Sequence, residues 1–147
     1  MRAYLKDLAE LVGIPTQSEE KPQVAEETPK TPLTVFDRII RKEIPATILY
    51  EDDRVVAIKD QSPVAPVHFL VVPKNKEGLL TLSELKPPQA ELLGHMMKVA
   101  GSVAEQQGCK KDGFRVVINQ GRHGCQSIDQ VFLHVIGGKQ LTWPPGI

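Results

Sequence analysis

The side chains that could do chemistry are concentrated near the carboxy-terminal end, between Asn119 and His134. The stretch Ile128-Asp129-Gln130-Val131-Phe132-Leu133-His134-Val135-Ile136 reads as a strand, and strand side chains alternate between two faces. Val131, Leu133 and Val135 share one face, which suits a core. Gln130, Phe132 and His134 share the other. A glutamine and a histidine there suit a wet, functional surface, with Phe132 the odd member between them. The same residues also fit a strand buried on both sides, with His134 a hydrogen-bonded interior histidine.

The preceding loop reads Asn119-Gln120-Gly121-Arg122-His123-Gly124-Cys125-Gln126-Ser127. Glycines between two strands let backbone N–H groups converge on an anion without interference from a Cβ. Ser127 offers a hydroxyl, Asn119 an amide and Arg122 a charge, so the loop is a candidate phosphate site. His123 and Cys125 add a base and a thiol; a thiol becomes a competent nucleophile when its pKa is lowered. His95 lies four residues after Glu91, and the spacing predicts an exposed i,i+4 pair on a helix surface.

Elements must hold these residues in place. Phe36, Ile39 and Ile40 fit one face of a short helix. Thr47–Glu51 and Arg54–Lys59 are β-rich runs joined by Asp52-Asp53, a hairpin signal. Val67–Val72 is a third apolar run. Pro87 and Pro88 can open a helix, along which Leu92, Met96, Val99 and Val103 form an apolar stripe as far as Gly108. Phe114–Asn119 and Ile128–Ile136 complete the set. The expected order is helix, three strands, long helix, two strands. Short loops between consecutive strands favour an antiparallel sheet with helices packed on it, an α+β fold.

The chain has 147 residues, 41% hydrophobic and 24% charged, enough for one domain with one core. Eighteen basic and eighteen acidic residues cancel. A neutral chain does not suit a general nucleic-acid binder, which needs a basic surface to displace counterions. No apolar run approaches a membrane span. The first residues carry Asp7 and Glu10 and no continuous apolar segment, unlike a secretory signal. Cys109 and Cys125 lie outside any C-x-x-C pair, so neither a disulfide framework nor a cysteine metal site is suggested, and a cytoplasmic setting is expected. No metal and no cofactor are expected.

Residues 1–33 differ from the rest. They hold four basic and six acidic residues, with Pro15, Pro22, Pro29 and Pro32 interrupting a Glu-rich run. Such a segment buries too little apolar surface to offset its ordering entropy. The expected organisation is a short amphipathic helix (Tyr4–Val12) and a linker over 1–33, then a folded domain over 34–147. Residues 1–13 either dock on a protein partner or form a frayed extension.

Residues 35–147 resemble the histidine triad (HIT) family, in particular its Hint branch of purine-nucleotide-binding phosphoramidases. The resemblance rests on Ile39-Ile40-Arg41-Lys42-Glu43-Ile44-Pro45-Ala46, Glu51-Asp52-Asp53-Arg54, His68-Phe69-Leu70-Val71-Val72-Pro73-Lys74 and Gly137-Gly138-Lys139-Gln140-Leu141-Thr142-Trp143-Pro144-Pro145-Gly146. It implies a five-stranded antiparallel sheet with two helices, and a homodimer with a ten-stranded sheet and one nucleotide site per subunit. It implies that Phe36, Ile39, Ile44 and Ile58 line the base pocket and that Asp60 accepts from the ribose hydroxyls. Asn119, Ser127 and the backbone near Gly124 would hold the α-phosphate. His68 would be a further polar member, and Trp143 would reach toward the partner's site.

The resemblance breaks at its central motif. The family pattern is three histidines alternating with apolar residues; here it reads Gln130-Val131-Phe132-Leu133-His134, and only the third histidine remains. The family's middle histidine is the nucleophile that attacks the α-phosphorus. Phe132 has no lone pair, and Gln130 cannot shuttle a proton near neutral pH. Three functions follow: a purine nucleotide or nucleoside binder without turnover, an active phosphoramidate or phosphate-ester hydrolase using unorthodox residues, or a non-catalytic dimeric scaffold.

Overall fold

The computed structural model describes residues 31–146. The Tyr4–Val12 helix, the linker up to residue 30 and the docking role of residues 1–13 lie outside the described residues. Helix α1 (Val35–Ile40) comes first, then strands β1 (Ile48–Glu51), β2 (Val55–Lys59) and β3 (Val67–Pro73). A 3₁₀ turn (Leu82–Glu84) leads into helix α2 (Pro87–Gln106), followed by β4 (Phe114–Val117) and β5 (Leu133–Gly137). The strands form one antiparallel sheet in the order β1-β2-β3-β5-β4, so the expected α+β class and element order hold.

Each boundary has a local cause. Thr34 caps α1: its hydroxyl accepts from the Asp37 amide, and Asp37 Oδ2 accepts from the Thr34 amide at 2.7 Å. Pro87 and Pro88 occupy the first turn of α2, where their missing N–H groups cost nothing. Gly108, at φ +91°, stops that helix in a conformation few other residues adopt freely. At the β1–β2 turn, Asp52 Oδ1 accepts from the amides of Arg54 and Val55, both at 2.8 Å.

The sheet separates two apolar clusters. On one face, Met96, Val99, Ala100 and Val103 of α2 pack on Val55, Ala57, Phe69, Val71, Leu133 and Val135. On the other, Phe36 and Ile39 of α1 pack on Val56, Ile58, Leu70, Val72 and Phe132. That second cluster corrects the wet-face expectation. Gln130 and Phe132 are only 1% and 4% exposed, because α1 covers the face they share. The expected strand is also shorter at its start. The Val131 amide bonds the Leu79 carbonyl rather than a strand neighbour, so the ladder begins at Leu133.

His95 departs from expectation too. Its Nε2 meets Asp52 Oδ2 at 2.7 Å, and Glu91 instead pairs with Arg54. Tyr50 donates to the same Asp52 oxygen at 2.9 Å. Burial pushes the Asp52 carboxyl up, but bonds from the Arg54 amide, His95, the Val55 amide and Tyr50 outweigh it and hold the group well below the usual range. The pair therefore ties α2 to the β1–β2 turn.

The chain just before α1 is also anchored. Buried Lys76 pairs with Asp37 and donates to the Pro32 carbonyl, and Thr31 donates to Glu77 at 2.9 Å. For Asp37, burial raises the pKa, but hydrogen bonds from Lys76 and the Thr34 amide hold it below its ordinary value. Among the described residues, no helix is long and apolar enough to cross a membrane.

Candidate functional site

Three polar residues meet on the α1 side of the sheet. His68, Leu70 and Val72 alternate onto that face of β3. His134 stands opposite Leu70 on β5, and the diagonal brings His68 Nε2 to 3.0 Å from His134 Nδ1. Asp60 follows β2; its amide donates to the His68 carbonyl at 3.1 Å, and its Oδ2 lies 3.3 Å from His68 Nε2. Its Oδ1 accepts from the Ser62 amide at 2.7 Å. Asp60 is thus a fixed acceptor, not a freely solvated strand-end acid.

One further contact sets the protons. The Val64 amide donates to His68 Nδ1 at 3.1 Å. A ring nitrogen that accepts must keep its lone pair, so His68 is neutral and its proton sits on Nε2. That N–H faces the Asp60 carboxylate and His134 Nδ1. Accepting it leaves His134 with its own proton on Nε2. Burial holds the His134 pKa below its ordinary value, and the Asp60 carboxylate partly opposes it.

The same atoms have the spacing of a metal site: the ligand atoms of Asp60, His68 and His134 lie within 4.8 Å of one another. The hydrogen bonds do not suit one. A ligating histidine donates its other ring N–H to an acceptor, whereas His68 Nδ1 receives a donor from Val64. Freeing Nε2 for a metal would set two N–H groups against each other.

Phe132 closes the apolar side. Its ring meets Phe36 edge-on, with centroids 4.9 Å apart and planes at 67°, and lies 5.1 Å from the His134 ring. Of the residues expected to line a base pocket, Phe36, Ile39 and Ile58 are buried in the same cluster as Phe132, and Ile44 is partly buried at its edge. They make a floor. The open cleft beside them, about 420 Å³, is lined by Pro45, Ala46, Thr47, Lys59, Asp60 and Gln61. Gln130 does not join the polar trio. Its Oε1 accepts from the Thr34 hydroxyl at 2.8 Å, which ties it to the start of α1.

The loop before β5 is organised by Gln126, which residue type alone did not single out. Its side chain accepts from the Gly121 amide at 2.8 Å and donates to the Ile128 carbonyl at 2.9 Å and the Gln130 carbonyl at 3.2 Å. Gly124 has to be glycine, since a Cβ there would meet the Gln120 carbonyl oxygen at 2.6 Å. Cys125 is exposed and holds φ +60°, a left-handed conformation that a side chain resists. Asn119 is half-buried, and Ser127 and His123 are exposed. Trp143 is 81% exposed, on a tail that Arg115 clamps through the Thr142 and Gly146 carbonyls.

Comparison with known proteins agrees with this architecture. Residues 41–141 match the model of the HIT domain. A 14 kDa zinc-binding protein of Zea mays is 50% identical over 113 residues, covering 77% of this chain and 88% of that protein. Adenylylsulfatase HINT1 of Arabidopsis thaliana is 46% identical over 127 residues, 86% of each chain. The crystal structure of a HIT family hydrolase from Legionella pneumophila superposes with a TM-score of 0.72 at 36% identity, covering 78% of this chain and 100% of that one. By its HIT domain, these relatives and its sheet order, the chain belongs to the histidine triad (HIT) family.

Proposed function

We propose that this protein binds a purine nucleotide or nucleoside and does not turn it over. The observation that carries the reading is Phe132. It occupies the middle position of the motif, 4% exposed, with its ring against Phe36. Nucleotidyl transfer in the family needs a nitrogen lone pair there, to form a P–N bond as the leaving group departs. A benzene ring has none. The reaction that the Arabidopsis relative's name states therefore does not carry over, and neither does the zinc in the maize relative's name, given the His68 tautomer.

The binding parts remain. Asp60 offers a carboxylate positioned by Ser62 and His68, ready to accept from two neighbouring hydroxyls. The cleft beside it is bounded by the Pro45–Thr47 segment, with Ile44 and Ala46 packed on the buried α1 cluster. We also propose a homodimer joined through α2 and the exposed edge of β4. Met97 and Phe114 stay 45% and 40% exposed there, and a two-fold interface would cover the same patch on both chains.

The test of the catalytic half is incubation of the full chain with a fluorogenic adenosine phosphoramidate beside an active family member. Loss of the nucleophile should lower turnover by several orders of magnitude; a rate within about tenfold of the active member would overturn the reading.

A further inference from the structure

We propose that Thr31 is a phosphorylation site, and that a phosphate there releases residues 31–33 from the clasp that Lys76 and Glu77 make on them. The sequence places two Thr-Pro dipeptides close together, Thr28-Pro29 and Thr31-Pro32, separated by Lys30. Proline fixes its own φ and biases the residue before it toward extended backbone. An extended Thr-Pro segment is what a proline-directed protein kinase takes into its cleft. The other hydroxyl–proline pair, Ser62-Pro63, lies in the link between β2 and β3, where the Ser62 amide is bound to Asp60 Oδ1 at 2.7 Å.

The fold holds Thr31 lightly. Thr31 is half-buried, and Pro32 and Leu33 are exposed. Among the described residues, no backbone–backbone hydrogen bond involves positions 31–33. Two side-chain contacts hold them instead. The Thr31 hydroxyl donates to Glu77 Oε1 at 2.9 Å, and Lys76 donates to the Pro32 carbonyl. Helix α1 starts only afterwards, behind its own Thr34 cap, so positions 31–33 can lift without unwinding it.

Phosphorylation turns the Thr31 contact from attraction to repulsion. Thr31 Oγ1 forms a bond to the γ-phosphorus of a nucleoside triphosphate, the bond to the diphosphate leaving group breaks, and the hydroxyl proton passes to the kinase's catalytic carboxylate. That proton is the one Glu77 accepts. In its place stands a group of charge about −1.5 to −2 at neutral pH, set against a carboxylate. Lys76 is poorly placed to offset it. Its charge is paired with Asp37, and the residue is only 5% exposed, so a phosphate would have to shed water to reach it.

The full chain is incubated with ATP and a proline-directed serine/threonine kinase, and the phosphate is located by peptide mapping in a mass spectrometer. Phosphate on Thr31 is expected; its absence overturns the proposal. Limited chymotrypsin digestion then compares phosphorylated and untreated chain by the rate of cleavage after Leu33. Losing one hydrogen bond to a charged group raises the open population by about tenfold to hundredfold, and cleavage follows that population when opening is fast. Cleavage should therefore accelerate by at least about tenfold. In Glu77→Gln the acceleration on phosphorylation should largely vanish, because the repelling charge is gone. A rate that phosphorylation leaves unchanged or slows would overturn the proposal, as would an undiminished acceleration in Glu77→Gln.

Discussion

Replacing Phe132 with alanine should be a severe folding defect, because the ring has become part of the core. It is 4% exposed and packs with Phe36, Ile39, Val56, Ile58, Leu70 and Val72. A buried phenylalanine removes about 150–250 Å² from water. At about 25 cal/mol per Å² that corresponds to about 4–6 kcal/mol. Part of it survives as local collapse around the cavity, and phenylalanine-to-alanine changes in cores cost about 3–5 kcal/mol. In a chain of this size each kcal/mol lowers Tm by about 2–4 °C, so a fall of about 10–15 °C is expected. Urea unfolding followed by circular dichroism measures this directly, with an unchanged m-value confirming that the unfolding transition is the same. A double-mutant cycle with Phe36→Ala should return a coupling of about 0.5–1.5 kcal/mol for the edge-on pair. A cost for Phe132→Ala below about 1 kcal/mol would place the ring in an open, solvated site instead of the core.

Three further outcomes follow from the geometry. Cys125→Gly should stabilise the protein by about 0.5–1 kcal/mol, because relief of the strain at φ +60° exceeds the added unfolded-state entropy; a melting temperature that falls would contradict this. Asp52 stays ionised in the fold where the unfolded carboxyl protonates, so its contribution is complete above the ordinary value of 3.8 and is lost as pH falls through the lower folded value. Asp52→Asn should therefore destabilise the chain near pH 6, and its urea midpoint should converge on the parent's as pH drops toward 2. In nitrogen-15 NMR, His68 should carry its proton on Nε2 at neutral pH. His134 should titrate below a free histidine, so stability falls with pH below its ordinary value of 6.5; a proton on His68 Nδ1 would overturn the assigned relay.

Much of the architecture was legible because strand runs, the paired prolines and the Asp52-Asp53 turn are local signals. What was not legible depended on which neighbour arrives from elsewhere in the chain. Alternation along Ile128–Ile136 separated Val131, Leu133 and Val135 from Gln130, Phe132 and His134, but it does not say that α1 covers the second set. The i,i+4 rule placed Glu91 beside His95, yet Arg54 and Asp52 of the β1–β2 turn claim one each. The Asp60–His68–His134 cluster is also non-local. Its proton order hangs on the Val64 amide, which no side-chain pattern reports. Gln126 could have been noticed as a long amide in a glycine-containing loop, where unpaired backbone groups need partners.

With Phe132 in the nucleophile position, this HIT-family fold should form no covalent bond to a nucleotide. Intact-mass spectrometry of the full chain, sampled over time after mixing with adenosine 5′-phosphoramidate, tests it most directly. A chain of unmodified mass is expected at every time point, with no AMP released above the protein-free control. A covalently adenylylated chain at any residue, or catalytic release of AMP, would contradict it.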